Sequence, residues 1–169
     1  MTYVVVSGSP GSGKTTLAGE LAPALGLPLL AKDTIKRGFE QVLDVPDVPT
    51  SRHVGRASVT ALLAVAAANP AGAVLESAWH RSRASGELAA LPGPVVEVFC
   101  RCPREVSLGR YRDRQTRHDR HLDALRVDDE LWNDEVAEPV AGGWPVLEVD
   151  TRQPVDVPAL VDLLDEHLR

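Results

Sequence analysis

A chain of 169 residues is long enough for one domain with a buried core and too short for two domains of ordinary size. Its 44% apolar and 25% charged residues are an ordinary globular mixture, and its net charge of −6 disfavours a general nucleic-acid-binding protein. No stretch approaches the roughly 20 apolar residues that span a bilayer, and the N-terminus shows no basic region followed by a cleavage site. We therefore expect a single domain over 1–169 in the cytoplasm.

Short apolar runs alternate with helical patterns along the chain. Strands are predicted at 3–7, 27–31, 73–75, 95–100 and 145–149. Helices are predicted over 14–25, 33–43, 50–68, 83–91, 103–114, 128–136 and 158–168, with Asp33 as the N-cap of the second helix. The alternation predicts an α/β fold, a three-layer α/β/α sandwich with a parallel sheet of about five strands. Ligands of such sheets bind at the carboxyl ends of the strands.

Two of the predicted helices have apolar faces that can be assigned from their spacing. The face of the helix over 50–68 is predicted to carry Val54, Ala57, Ala61, Leu62 and Val65. The face of the last helix is predicted to carry Leu160, Val161, Leu163 and Leu164. Cys100 and Cys102 lie one residue apart, where a disulfide would be strained, so we expect small apolar side chains at a strand end.

Residues 8–15 fit the pattern G-x-x-x-x-G-K-[ST] without a mismatch, between a predicted strand and a predicted helix. In such a phosphate-binding loop (P-loop) the backbone N–H groups and the helix N-terminus point at phosphate oxygens. Lys14 is expected to reach the β- and γ-phosphates, Thr15 to hold Mg²⁺, and Thr16 to reach the α-phosphate. The remaining nucleotide-binding residues predicted here are Gly8, Gly11, Ser12 and Gly13.

Two carboxylates follow the predicted strands next to this loop. Asp33 stands where a group is needed to orient an acceptor hydroxyl and take its proton, and it also suits a helix cap. Lys36 or Arg37, about one turn later, would neutralise charge on the transferred phosphoryl group. Glu76 ends the third strand, where an acidic residue supports Mg²⁺ or binds the acceptor.

These motifs together resemble the small P-loop kinases. The resemblance is closest to the predicted kinases grouped with chloramphenicol phosphotransferase and polynucleotide 5′-hydroxyl kinase domains, with shikimate and gluconate kinases as more distant relatives. It covers most of the chain, although only the P-loop is a highly specific motif. The resemblance implies a P-loop NTPase fold, ATP and Mg²⁺ as cofactors, Asp33 as general base, and Lys36 in place of a phosphate-binding arginine.

The segment from Arg101 to Arg120 contains seven arginines and three acidic residues. It resembles the lid of small P-loop kinases, here placed at about 110–125, which surrounds the moving phosphoryl group with positive charge and excludes water. Arg110 and Arg114 lie on one helical face and are the predicted catalytic arginines, with Arg110 also at the nucleotide. The same resemblance places the loop from Thr151 to Val155 beside the adenine.

The function favoured by these residues is ATP- and Mg²⁺-dependent phosphorylation of a hydroxyl on an unidentified small molecule. A polynucleotide 5′-hydroxyl kinase is an alternative, disfavoured by the net charge and by 4% aromatic residues. A nucleotide-dependent switch is a second alternative. The roles of three residues stay open. Trp79 is either an apolar wall of the acceptor pocket or a core residue, and Arg52 and Arg56 either bind an anionic acceptor or are solvated.

Overall fold

The computed structural model describes residues 1–115 and 131–168. Within these residues the strands are β1 (Thr2–Ser7), β2 (Leu29–Ala31), β3 (Gly72–Glu76), β4 (Val95–Arg101) and β5 (Val146–Asp150). The helices are α1 (Lys14–Leu25), α2 (Lys32–Glu40), α3 (Val48–Ala68), α4 (Arg81–Ala89), α5 (Arg104–Gln115), α6 (Asp134–Ala137) and α7 (Val157–Leu168). Part of the helix predicted over 128–136 falls outside the described residues.

All five strands belong to one parallel sheet with the order β2-β3-β1-β4-β5. The strand β1 is central, and its Val5 lies opposite Leu75 of β3 and Glu97 of β4. Because the strands are parallel, the carboxyl ends of β1, β3 and β2 meet at one edge of the sheet. The structure confirms the predicted α/β fold.

Helices cover both faces of this sheet. Alternate side chains of β1 enter different cores: Tyr3 and Val5 pack with residues of α3 and α4, whereas Val4 and Val6 pack with residues of α1 and α7. All four side chains are fully buried. A strand buried on both faces explains why its sequence is continuously apolar rather than alternating.

The prediction that Asp33 caps a helix is wrong. The helix α2 begins at Lys32 with Ala31 as its N-cap, so Asp33 lies inside the first turn. An acidic side chain there is favoured by the helix dipole without making a capping hydrogen bond. The helix α3 also begins earlier than predicted, because Asp47 caps it by accepting a hydrogen bond from the backbone N–H of Thr50 at 2.8 Å.

The predicted apolar face of α3 is only partly correct. Val54 and Leu62 are buried, but Ala57 and Val65 are exposed, and Ser58 occupies the buried stripe instead. Burial of Ser58 is possible because its hydroxyl donates to the carbonyl of Val54, one turn earlier, at 2.7 Å. Even though α3 has 21 residues, no helix in the described part of the chain is long and apolar enough to cross a membrane.

The last helix, α7, shows the same kind of partial agreement. Leu160 and Leu164 are buried against α1 and the sheet, as predicted, and Val161 packs at the border of that core. Leu163 is 48% exposed, so it is not part of the buried face. Two leucines spaced four residues apart are enough to attach this helix to the sheet.

Candidate nucleotide-binding and catalytic site

The loop between β1 and α1 is shaped by three glycines in the left-handed region of backbone conformation. The φ angles of Gly8, Gly11 and Gly13 are 136°, 76° and 92°. At Gly11 a side chain is excluded twice, because a Cβ would also lie 2.0 Å from the carbonyl oxygen of Ser107 on α5. The loop therefore curls tightly between β1 and α5 and leads directly into the N-terminus of α1.

Two polar side chains of this loop are buried beside its curled backbone. Lys14 is 7% exposed, and its Nζ donates to the carbonyl of Ser9 at 2.7 Å. The hydroxyl of Ser12 is buried and has no hydrogen-bond partner among the described residues. Because buried polar groups are normally hydrogen-bonded, an unsatisfied buried hydroxyl in a phosphate-binding loop fits an oxygen-rich anionic ligand. A nucleoside triphosphate is such a ligand.

Glu76 lies next to this loop at the end of β3. Its side chain is buried, and its Oε1 accepts a hydrogen bond from Thr15 Oγ1 at 3.4 Å. Burial raises the pKa of Glu76, the cation Lys14 opposes that rise, and the nearby Asp33 adds to it.

The pair formed by Thr15 and Glu76 fits a Mg²⁺ ion that takes most of its other ligands from phosphate and water. Hydroxyl and carboxylate oxygens are the ligands that Mg²⁺ prefers. In residues 1–115 and 131–168 there is no group of three His, Cys, Asp or Glu side chains that could hold a metal without such help.

Asp33 faces the same edge from the start of α2. Its carboxylate is 57% exposed and lies 3.0 Å from the ammonium of Lys32. Asp33 and Lys32 both act electrostatically on Glu76. The structure thus brings together the three groups predicted for chemistry at different places in the sequence, namely Lys14, Asp33 and Glu76.

The ammonium of Lys36 has partners on both α2 and α3. Its Nζ donates to Ser51 Oγ at 2.7 Å and lies 3.1 Å from Glu40 Oε1. Its assignment to the transferred phosphoryl group stays a prediction. Arg52 and Arg56, farther along α3, are exposed.

A cavity of about 540 Å³ opens beside the P-loop on the side away from Asp33. Thr16, Leu17 and Glu20 of α1 line one side of it, and the loop from Thr151 to Val155 lines another. Thr151 is itself buried, and its Cβ lies 3.6 Å from the position of a Cβ at Gly13. The position and size of the cavity suit a nucleoside that continues from phosphates in the loop.

Arg110 of α5 forms the rim of this cavity. Its guanidinium donates to the carbonyls of Thr151 and Arg152 at 2.9 and 3.0 Å. These bonds fix a planar cation at the rim of the cavity, and the assignment of Arg110 to the nucleotide stays a prediction. The side chain of Arg114 and the lid residues after 115, including Arg117, His118 and His121, lie outside the described residues.

Two further predictions concern buried residues near the edge. Trp79 is 3% exposed and packs in the core with Leu75 and Leu88, which favours its interpretation as a core residue. Cys100 and Cys102 are both free, and burial raises the pKa of the Cys100 thiol to about 12. Cys100 therefore behaves as a small apolar residue, as predicted.

Sequence reasoning did not single out two charged residues of this region. Lys32 was not assigned a role, although it is the lysine that contacts Asp33. Glu97 lies fully buried in the middle of β4 and accepts a hydrogen bond from Ser7, the residue before the P-loop, at 2.5 Å. The available signal for Glu97 was the one charged residue inside the apolar run at 95–100.

These features define the class of the protein as a P-loop domain of the kinase-like type. The chain belongs to the AAA domain family, whose model matches residues 4–137. A solved structure from Chloroflexus aurantiacus, described as a candidate kinase, superposes with a TM-score of 0.86 at 28% identity and covers 99% of this chain and 98% of its own.

More distant structures share the fold. A gluconokinase from Sinorhizobium meliloti has a TM-score of 0.59 at 24% identity, covering 99% of this chain and 89% of its own. A shikimate kinase from Acinetobacter baumannii, in complex with shikimate, has a TM-score of 0.57 at 22% identity, covering 99% and 95%. The relation to chloramphenicol phosphotransferase and polynucleotide kinase domains is not among these findings.

A curated relative is similar to this chain over a short segment. A cytidylate kinase from Pyrobaculum aerophilum is 54% identical over 37 residues, which are 22% of this chain and 20% of that protein. The match spans about a fifth of the cytidylate kinase, so it supports a shared local motif rather than a shared substrate.

Proposed function

We propose that the protein is an ATP- and Mg²⁺-dependent kinase that transfers the γ-phosphoryl group to a hydroxyl of a small molecule. The observation that carries the proposal is the meeting of Lys14, Glu76 and Asp33 at one edge of the sheet, with a nucleoside-sized cavity on the other side of the P-loop. A phosphate-binding loop alone indicates a nucleotide. The exposed carboxylate of Asp33 beside it adds a group that serves an acceptor.

The proposed reaction assigns one task to each of these residues. The acceptor oxygen attacks the γ-phosphorus, its proton passes to Asp33, and the bond to the bridging oxygen breaks with its electron pair left on ADP. Lys14 and the loop N–H groups stabilise the charge on the phosphoryl oxygens. Bound Mg²⁺ would neutralise phosphate charge, held by Thr15 with support from Glu76. Arg110 holds the nucleoside, and Lys36 and Arg114 stay candidates for the transferred phosphoryl group.

The class of acceptor is supported by the neighbouring structures. The printed names of two of them, gluconokinase and shikimate kinase, describe kinases of small hydroxylated molecules. We extend this class of small hydroxylated acceptors to the present chain as a proposal. In the same proposal, residues 1–169 form a single kinase domain with a lid at about 110–125. No contact in the described residues favours a polynucleotide acceptor, and an oligonucleotide serves as one arm of the test.

The experiment measures ADP and free phosphate in parallel, with Mg·ATP and a panel of small hydroxyl compounds plus a 5′-hydroxyl oligonucleotide. We expect one small acceptor to stimulate ADP formation without free phosphate in the wild type. Asp33→Asn should abolish that stimulation, whereas Asp44→Asn, which removes an exposed carboxylate after α2, should keep it. ADP formation that is matched by free phosphate with every acceptor would refute the kinase proposal and favour a nucleotide-dependent switch.

A further inference from the structure

Lys32 stands at the junction of β2 and α2, directly before Asp33. Its Nζ lies 3.0 Å from Asp33 Oδ1, and its side chain is 23% exposed compared with 57% for Asp33. Although burial raises the pKa of Glu76, the cations Lys14 and Lys32 both oppose that rise. Because β3 lies between β2 and β1, Lys32 and Lys14 approach Glu76 from the two neighbouring strands, one at the start of α2 and one in the P-loop.

The other neighbour of Lys32 is the middle of α3. A Cβ built at Gly55 would lie 3.7 Å from Lys32 Cε and 3.8 Å from its Nζ, so the lysine chain passes over this glycine. The whole of α3, Val48–Ala68, contains no Asp or Glu, and the charged residues nearest to Gly55 along it are Arg52 and Arg56. Thus α3 offers Lys32 no carboxylate, and the carboxylate that contacts its ammonium is that of Asp33.

We propose that Lys32 is a second active-site lysine, which keeps Asp33 ionised before transfer and stabilises the new phosphate ester after it. The inference rests on the proposed kinase function and adds a residue to it. When Asp33 takes the proton of the acceptor hydroxyl, its negative charge disappears and the ion pair with Lys32 ends. The cation then has a new partner, because the oxygen that lost the proton now carries a doubly charged phosphoryl group.

A comparison with Lys36 shows why this role belongs to Lys32. Lys36 has a carboxylate of its own, Glu40 at 3.1 Å, and a second contact to Ser51 at 2.7 Å. Neither of these partners changes charge in the proposed reaction. Lys32 instead shares the one carboxylate that is neutralised when the phosphoryl group arrives, so its charge becomes available at that moment.

The test compares four variants with the wild type. Lys32→Gln removes the cation, and Lys32→Arg retains it on a similar side chain. Gly55→Asp leaves Lys32 in place but adds a competing carboxylate from α3, at a helical position where Asp is tolerated better than Gly. Arg83→Gln is the matched control, because it neutralises an exposed arginine on α4.

We expect Lys32→Gln to lower kcat by about 10–100-fold, with the KM for ATP changed by less than about threefold. Gly55→Asp should lower kcat in the same direction, while Lys32→Arg and Arg83→Gln should stay within about fivefold of the wild type. If no acceptor is found, the slow hydrolysis of Mg·ATP, in which water replaces the acceptor, gives the same kcat comparison. The hydrolysis assay thus distinguishes a failure of the role proposed for Lys32 from a failure of the proposed kinase function.

An NMR titration of the Asp33 carboxylate in the nucleotide-free protein tests the first half of this role, the stabilisation of the ionised carboxylate by Lys32. Near Asp33 lie Lys32 on its own helix and Glu76 from β3, with Lys14 beside Glu76. The same helix carries Lys36 and Arg37 one turn later, and α3, which packs against α2, carries Arg52, His53 and Arg56. Removal of Lys32 should move the titration midpoint upward, because the cation 3.0 Å from the carboxylate favours its ionised form. An unchanged midpoint in Lys32→Gln, or an unchanged kcat in both Lys32→Gln and Gly55→Asp, would overturn the proposal.

Discussion

Two glutamates are buried on the strands that flank β1, and their surroundings differ completely. Glu97 in the middle of β4 accepts hydrogen bonds from Ser7 Oγ, from the N–H groups of Val140 and Ala141, and from Trp144 Nε1, at 2.5, 2.8, 2.9 and 3.2 Å. Glu76 at the end of β3 accepts, among the described residues, a single long bond from Thr15.

The difference in hydrogen bonding indicates different roles for the two glutamates. The carboxylate of Glu97 has a full set of donors and joins the chain at 140–144 to the strand that carries the P-loop, so it acts as a structural anchor. The carboxylate of Glu76 is buried with most of its acceptor capacity unused, which raises its pKa and costs stability. An incomplete site of this kind is completed by a ligand, so we expect variants at the P-loop edge to lose activity and variants at the Glu97 anchor to lose stability.

The largest effect is expected from Lys14→Ala. If Lys14 contacts the phosphates as proposed, loss of this buried cation should reduce kcat/KM for ATP by about 10³-fold, because a preorganised charge is removed from the transition state. The melting temperature without nucleotide should change by only a few degrees, which a thermal unfolding measurement checks. Lys14→Arg is the charge-retaining control, and full activity in Lys14→Ala would remove the P-loop from the mechanism.

The anchor gives the next largest effect. Glu97→Ala leaves four donors without this partner, two of them in buried bonds and two in partly buried ones, and should reduce the free energy of unfolding by about 3 kcal/mol, which lowers the melting temperature by roughly 6–12 °C. Glu87→Ala on the exposed face of α4 is the control and should be nearly neutral. A Glu97→Ala protein with unchanged stability would contradict the description of Glu97 as an anchor.

Asp33→Asn tests the exposed side of the edge. The amide keeps the shape of the side chain but cannot accept the acceptor proton, so kcat for the acceptor reaction should fall about 10²-fold. Nucleotide affinity, measured by calorimetry with a non-hydrolysable ATP analogue, should remain within about threefold. A loss of nucleotide binding instead of turnover would place Asp33 at the nucleotide rather than at the acceptor.

The smallest effect is the most specific for the comparison. Burial raises the pKa of Glu76, so the folded protein favours the protonated carboxyl more than the unfolded chain does. The stability that protonated Glu76 contributes is therefore lost as the pH rises through the pKa of Glu76 in the folded protein. Glu76→Gln should therefore be more stable than the wild type at pH 7 without Mg²⁺, by about 1 kcal/mol or 2–4 °C. The gain should shrink toward pH 4.

Mg²⁺-dependent turnover of Glu76→Gln should fall about tenfold. Glu97→Gln gives the matched measurement at the anchor, where the same chemical change should destabilise. Equal changes in the stability of the Glu76→Gln and Glu97→Gln variants would contradict the distinction between the two sites.

The parts of this structure that follow from short-range sequence were predictable. The P-loop is one continuous segment in which glycine conformation, the lysine and the start of α1 are fixed within eight residues, and the sheet follows from alternating apolar runs. The role of Lys32 depends on where α2 begins and on its packing against Gly55, which no local pattern encodes. The four donors of Glu97 come from distant elements, up to 90 residues away for Ser7, so only the folded chain shows the anchor.

The central claim is that this edge transfers a phosphoryl group to a hydroxyl rather than to water. Phosphorus NMR of the wild-type protein with Mg·ATP and the most stimulatory acceptor measures this directly, with Asp33→Asn as the parallel sample. The account predicts a new phosphate monoester signal that grows in step with ADP in the wild type and is nearly absent in Asp33→Asn. Growth of inorganic phosphate alone, at equal rates in both proteins, would contradict it.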